Sequence, residues 1–80
     1  MIFIEETFPD RQSVTIIIDG VLNGEGIPVL NDLCERYVKE EKRVCVHLRR
    51  LMHISRDGRQ YLRDIRDKVV LLDPSHFLDD

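Results

Sequence analysis

No tryptophan occurs in this chain, and proline, glycine and cysteine are scarce, at three, four and two residues. With 42% apolar and 34% charged residues, that scarcity excludes a disordered or collagen-like chain. The cysteines, Cys34 and Cys45, form no CxxC pair, which removes zinc ribbons and thioredoxin-type redox motifs. Both lie in apolar-patterned segments and are expected to be reduced, mostly buried thiols. No run approaches the roughly 18 apolar residues of a membrane span. Met1-Ile2-Phe3-Ile4 passes at once into Glu5 and Glu6, so no secretory signal is expected and a cytoplasmic location is.

Eighty residues make a single domain, 1–80, and a small one. A chain this short buries only about 60% of its unfolded surface, so support from a partner or a second copy is expected. Net charge is −3, unevenly spread. Residues 42–68 hold nine Lys/Arg against three Asp, and the remainder holds three Lys/Arg against twelve Asp/Glu. Such asymmetry fits a soluble protein whose helices carry charge outward, or else a face for an anionic partner.

Ile2 to Phe8 alternates as a first strand, and Pro9-Asp10-Arg11-Gln12 is a turn. Ser13 to Asp19 is the clearest strand, rich in β-branched residues. Gly20 to Gly26 is a Gly-rich connection. It lacks the Lys-Ser/Thr ending of a P-loop and the spacing of a dinucleotide fingerprint. Pro28 suits a helix start, and Ile27, Leu30, Leu33, Cys34, Tyr37 and Val38 recur at helical spacing up to Glu41-Lys42. Arg43 to Leu48 is a second strong strand, parallel to the Ser13–Asp19 strand across the intervening helix. Leu51 and Ile54 carry the apolar pattern into a loop. A second helix runs from Arg56 to Arg66 with Tyr61, Leu62 and Ile65 inward. Val69 to Leu72 is a last strand, apolar throughout, as expected in a sheet centre or under cover on both faces. Ser75 to Asp80 is a short stub whose apolar pair, Phe77-Leu78, is expected to pack back as one helical turn. The reading is α/β: a mixed four-stranded sheet in the order β-β-α-β-α-β, an antiparallel hairpin followed by parallel strands, and two main helices.

Chemistry is sparse. His47, His53 and His76 with the two cysteines fall at no zinc spacing, so no metal is expected. Ser55, His53 and Asp57 are neighbours on one loop, whereas a catalytic triad converges from separate elements. Neither catalysis nor a cofactor is implied. Arg49, Arg50, Arg56, Arg59, Arg63 and Arg66 form a basic series, but aromatic stacking platforms are missing and the pI is about 5.5, against nucleic acid as partner.

The Ser55-Arg56-Asp57-Gly58 loop remains. Ser55 is placed as a helix N-cap, Asp57 complements the helix dipole in the first turn, and Gly58 permits close packing on the sheet. An exposed helix start is also a contact point for an anion or a docking partner.

With this element order, the chain resembles the STAS domains, the sulfate-transporter and anti-sigma-factor-antagonist family, over residues 13 to 72. The resemblance rests on Asp19-Gly20-Val21-Leu22, Pro28-Val29-Leu30, Val44-Cys45-Val46-His47-Leu48 and, above all, Ile54 to Leu62. There the family has an Ile-Asp-Ser-x-Gly loop opening a helix. The resemblance implies a non-enzymatic, bacterial signalling module that docks a protein partner, such as an anti-sigma-type kinase or other regulator. Its contact residues would be Ser55, Arg56, Asp57, Gly58, Arg59 and Arg63. Aligned on Gly58, the family's phosphorylated serine falls on Arg56 and its aspartate on Ser55. A cation therefore occupies the switch position, and loss of the usual phosphoswitch is expected. Two alternatives stay open: phosphorylation of Ser55 itself, and binding of a small anionic ligand or nucleotide. Family domains continue with a further helix, strand and helix, so an open sheet edge, and with it a homodimer or a stable partner, is expected.

Overall fold

The computed structural model describes residues 1–73, and the expected packing of Phe77-Leu78 lies outside them. Five strands and two helices follow in order: β1 Ile2–Asp10, β2 Ser13–Leu22, α1 Ile27–Lys39, β3 Arg43–His47, β4 Leu51–Ile54, α2 Arg56–Ile65 and β5 Val70–Leu72. β1 and β2 are antiparallel, and β2 pairs in parallel with both β3 and β4. β5 pairs in parallel with β3, giving the path β1-β2-β3-β5 with β4 beside β2.

The sheet thus has five strands where the sequence suggested four. β2 does not stop at Asp19 but runs through Gly20 to Leu22, outreaching β3. The surplus length is filled by β4, with Gly20 opposite Leu51 and Leu22 opposite Ile54. Gly20 can stay in the strand because its φ of +90° is open to glycine, and a Cβ there would stand 2.5 Å from the Met1 carbonyl oxygen. That close approach lets the Met1 carbonyl accept a bond from the Val21 N–H at 3.0 Å. The hairpin turn is also tighter than expected. β1 continues to Asp10, whose carboxylate accepts the Gln12 N–H at 2.8 Å, an Asx turn that leaves only Arg11 and Gln12 between the two strands.

Alternation along the strands defines two unlike faces. Val14, Ile16 and Ile18 of β2, with Val44 and Val46 of β3 and the adjoining Leu48, are buried. They form one core with Leu30, Cys34 and Tyr37 of α1 and Leu62 and Ile65 of α2. Thr15, Ile17, Cys45 and His47 on the opposite face are only half-buried. Both helices therefore cover one face, and Cys45 is less buried than its apolar context suggested. Val38, expected on the inner stripe of α1, is exposed. β5 differs most from expectation. Among the described residues it lies at the sheet edge outside β3, with Val70 and Leu72 exposed, not in a covered centre.

Two tyrosines pin α1. The Tyr37 hydroxyl donates to Glu6 of β1 at 2.6 Å, and its ring meets Phe8 edge-on at 5.9 Å. The Tyr61 hydroxyl of α2 donates to Asn31 of α1 at 3.0 Å. Burial pushes the Tyr61 phenol and the Cys34 thiol upward, whereas the bond to Glu6 raises Tyr37. Groups held above their unfolded values keep protons that the unfolded chain releases. Their contribution is complete below the ordinary thiol and phenol values of 9.0 and 10.0, and is lost as pH rises beyond them. Urea unfolding at about pH 8 and about pH 10 should show a clear loss of stability at the higher pH. Tyr61→Phe should lessen that loss, with Cys34 and Tyr37 carrying the rest, and a wild-type midpoint unchanged with pH would contradict the assignment.

Candidate functional site

β4 ends at Ile54, and the chain enters α2 without a spacer turn. Ser55 takes an extended conformation at φ −80° and ψ 171°, and its Oγ accepts the Gly58 N–H at 3.1 Å. Its own N–H donates to the Leu22 carbonyl at 2.9 Å, which sews the helix start to the end of β2. Asp57 is the acidic residue of the first turn and favours the positive end of the helix dipole. Gly58 is buried, and a Cβ there would stand 2.7 Å from the Leu22 carbonyl oxygen and 3.0 Å from Ile54 Cγ1.

The six sequence-designated residues gather at this corner with different exposures. Ser55 and Arg63 are half-buried, Gly58 is buried, and Arg56, Asp57 and Arg59 face solvent. Arg56, Arg59 and Arg63 recur at three- and four-residue spacing, so they share one face of α2. Arg63 makes an interaction of its own within the molecule. Gly58 and Ser55 position this surface, while Arg56 and Arg59 present charge on it.

Neighbours not singled out in the sequence complete the corner. The loop after β2 approaches α2: a Cβ on Gly24 would lie 4.0 Å from an Asp57 carboxylate oxygen. Asn23 stiffens that loop, its Oδ1 accepting the N–H groups of Glu25 at 3.1 Å and Gly26 at 3.3 Å. The Asn-Gly pair was a legible turn signal, but its nearness to Asp57 arises only from the sheet pairing. Met52 is 81% exposed and His53 is exposed, while Leu51 and Ile54 are buried. A register shift between Gly20 and Val21 breaks strict alternation and turns two adjacent β4 side chains outward. No periodicity in the sequence signals that.

Among the described residues, no group of three or more His, Cys, Asp or Glu side chains is placed to hold a metal. No described helix is long and apolar enough to cross a membrane. An open cleft of about 490 Å³ lies between α1 and the end of α2, lined by Cys34, Val38, Ile65 and Val69. It shares no residue with the Ser55–Gly58 loop.

An antiparallel hairpin feeding parallel strands, with helices on one face and a capped helix start after β4, defines a STAS-like fold. A solved structure that matches bears this out. The anti-sigma factor antagonist SpoIIAA in its unphosphorylated form aligns with a TM-score of 0.71 at 15% identity, over 91% of this chain and 74% of that one. A structure of Mglu aligns with a TM-score of 0.63 at 20% identity, over 88% of this chain but 18% of that one. No protein-family model matches the sequence. No curated protein sequence matches it either. The similarity is one of fold, at identities too low to carry residue roles.

Proposed function

We propose that this chain is a non-enzymatic regulatory module that docks a protein partner through residues 53–63. The observation behind it is the pair of solvent-facing cations, Arg56 and Arg59, on a helix start held rigidly by Ser55 and Gly58. The fold shared with an anti-sigma factor antagonist supports a regulatory role of this kind. The docking partner would present acidic groups, contacted by Arg56, Arg59 and Arg63, with Asp57 restricting register by repelling misplaced carboxylates.

Docking of this kind does not depend on phosphorylation. The Ser55 hydroxyl oxygen already accepts the Gly58 N–H, so phosphorylating it would rebuild the helix cap. Arg56, at the position corresponding to the family's phosphorylated serine, has no hydroxyl to modify. An anti-sigma-type kinase in the partner role would therefore act as a binding partner and not as a modifying enzyme.

The reading predicts that Arg56→Glu with Arg59→Glu abolishes recovery of the partner captured by wild type from the native cell. Both side chains are exposed, so the fold should survive, which circular dichroism can verify. Equal recovery by the double variant and wild type would overturn the proposal. Phospho-Ser55 in protein isolated from its native cell would instead favour the switch.

A further inference from the structure

β3 and β4 lie one after the other along the same side of β2. Ile17 pairs with His47, the last residue of β3, and Gly20 pairs with Leu51, the first of β4. Between them Ile18 and Asp19 have no ladder partner on that side. The chain leaves the sheet there in a turn at Arg49 and Arg50, closed by the Leu51 N–H donating to the Leu48 carbonyl at 3.1 Å. Leu48 is buried and anchors the turn, while both arginines are exposed. Beside this break lies an open cleft of about 420 Å³, on the face without helices. Among the described residues it is lined by Ile17, His47, Arg49 and Arg50, which are one apolar residue and three basic ones. The carboxyl ends of parallel strands are where open α/β sheets take their ligands.

We infer that this cleft binds a phosphate dianion, free or as the ester of a small molecule. Two guanidinium groups supply the paired charge and the donor forks that phosphate oxygens accept from. Ile17 gives the organic part of an ester an apolar surface. Among the described residues Arg49 makes no ion pair. Arg50 meets Glu5 only at 3.6 Å, with the two side chains 59% and 60% exposed, a loose pair that an anion can displace. His47 Nε2 meets Asp73 at 3.1 Å, and a protonated ring still has its Nδ1–H to donate. Glu5 and Asp73 compete with the ligand for these cations, which holds the affinity to a Kd of about 1–10 mM.

An NMR titration of the whole chain with inorganic phosphate and with phenyl phosphate, at constant ionic strength, tests the inference. Amide shifts at Ile17 and at residues 47–50 should saturate. Arg49→Ala and Arg50→Ala should each weaken binding about fivefold or more, by removing charge-assisted hydrogen bonds. Glu5→Gln should tighten it about twofold, by releasing Arg50. Arg66→Ala removes an exposed cation from the end of α2 and should leave binding unchanged. Tighter binding of phenyl phosphate would assign the site to an ester, and equal affinity to free phosphate. Shifts that do not saturate by about 50 mM with either probe would overturn the inference. So would equal shifts with acetate, indifference to both Arg49→Ala and Arg50→Ala, or a loss on Arg66→Ala as large as theirs. The titration involves no other protein, so its outcome is independent of docking through residues 53–63.

Discussion

Gly58→Val is expected to destabilise the protein by about 3 kcal/mol, out of a total of roughly 4–12 kcal/mol for a chain of this size. The first carbon it adds would lie 2.7 Å from the Leu22 carbonyl oxygen and 3.1 Å from Leu22 Cγ. A flexible side chain could retreat from such a contact. A backbone oxygen cannot, and this one also accepts the Ser55 N–H at 2.9 Å. Relief therefore requires α2 to lift from the sheet, breaking the bond that seats the helix start. Valine adds a branch to the same clash. Gly24→Ala is the matched control, because its Cβ would meet only an Asp57 carboxylate oxygen at 4.0 Å. Urea unfolding of both variants checks the account. A Gly58→Val midpoint close to wild type would show that the helix start is not held as described.

Leu62→Ala should cost about 2–5 kcal/mol, the usual range for a fully buried leucine that leaves a cavity. Leu62 is inaccessible to solvent and belongs to the same core as Ile16, Ile18 and Val46. One turn before it, Gly58 sets the helix close to the sheet, so neighbours have little freedom to collapse into the space. Chemical denaturation should give a lower midpoint with an unchanged slope. A loss below about 1 kcal/mol would mean that α2 is anchored elsewhere.

The parts of the fold legible in the sequence are those with a clean period. Val14, Ile16 and Ile18 alternate, as do Val44, Val46 and Leu48, and all are buried. Ser55 and Gly58 could be placed because capping and close approach demand particular residue types. β4 was not legible. Its buried residues, Leu51 and Ile54, are three apart because the ladder slips beside Gly20, and that slip depends on β2 having length to spare. β5 misled for the opposite reason. A wholly apolar run normally belongs to a covered strand. Here, among the described residues, the run lies at an edge, with Val70 and Leu72 exposed. At the candidate site, the basic face of α2 could be read from spacing alone. The approach of the Asn23-Gly24 loop to Asp57 could not, since it comes from long-range pairing.

The first turn of α2 stands at an exposed corner of the fold, and the proposed docking there can be tested directly. The most direct measurement is hydrogen exchange on the complex with the captured partner. The account predicts slowed exchange across residues 53–63, centred on the first turn of α2, relative to the chain alone. Slowing confined to the β1–β2 hairpin or to β5, with residues 53–63 unchanged, would contradict it.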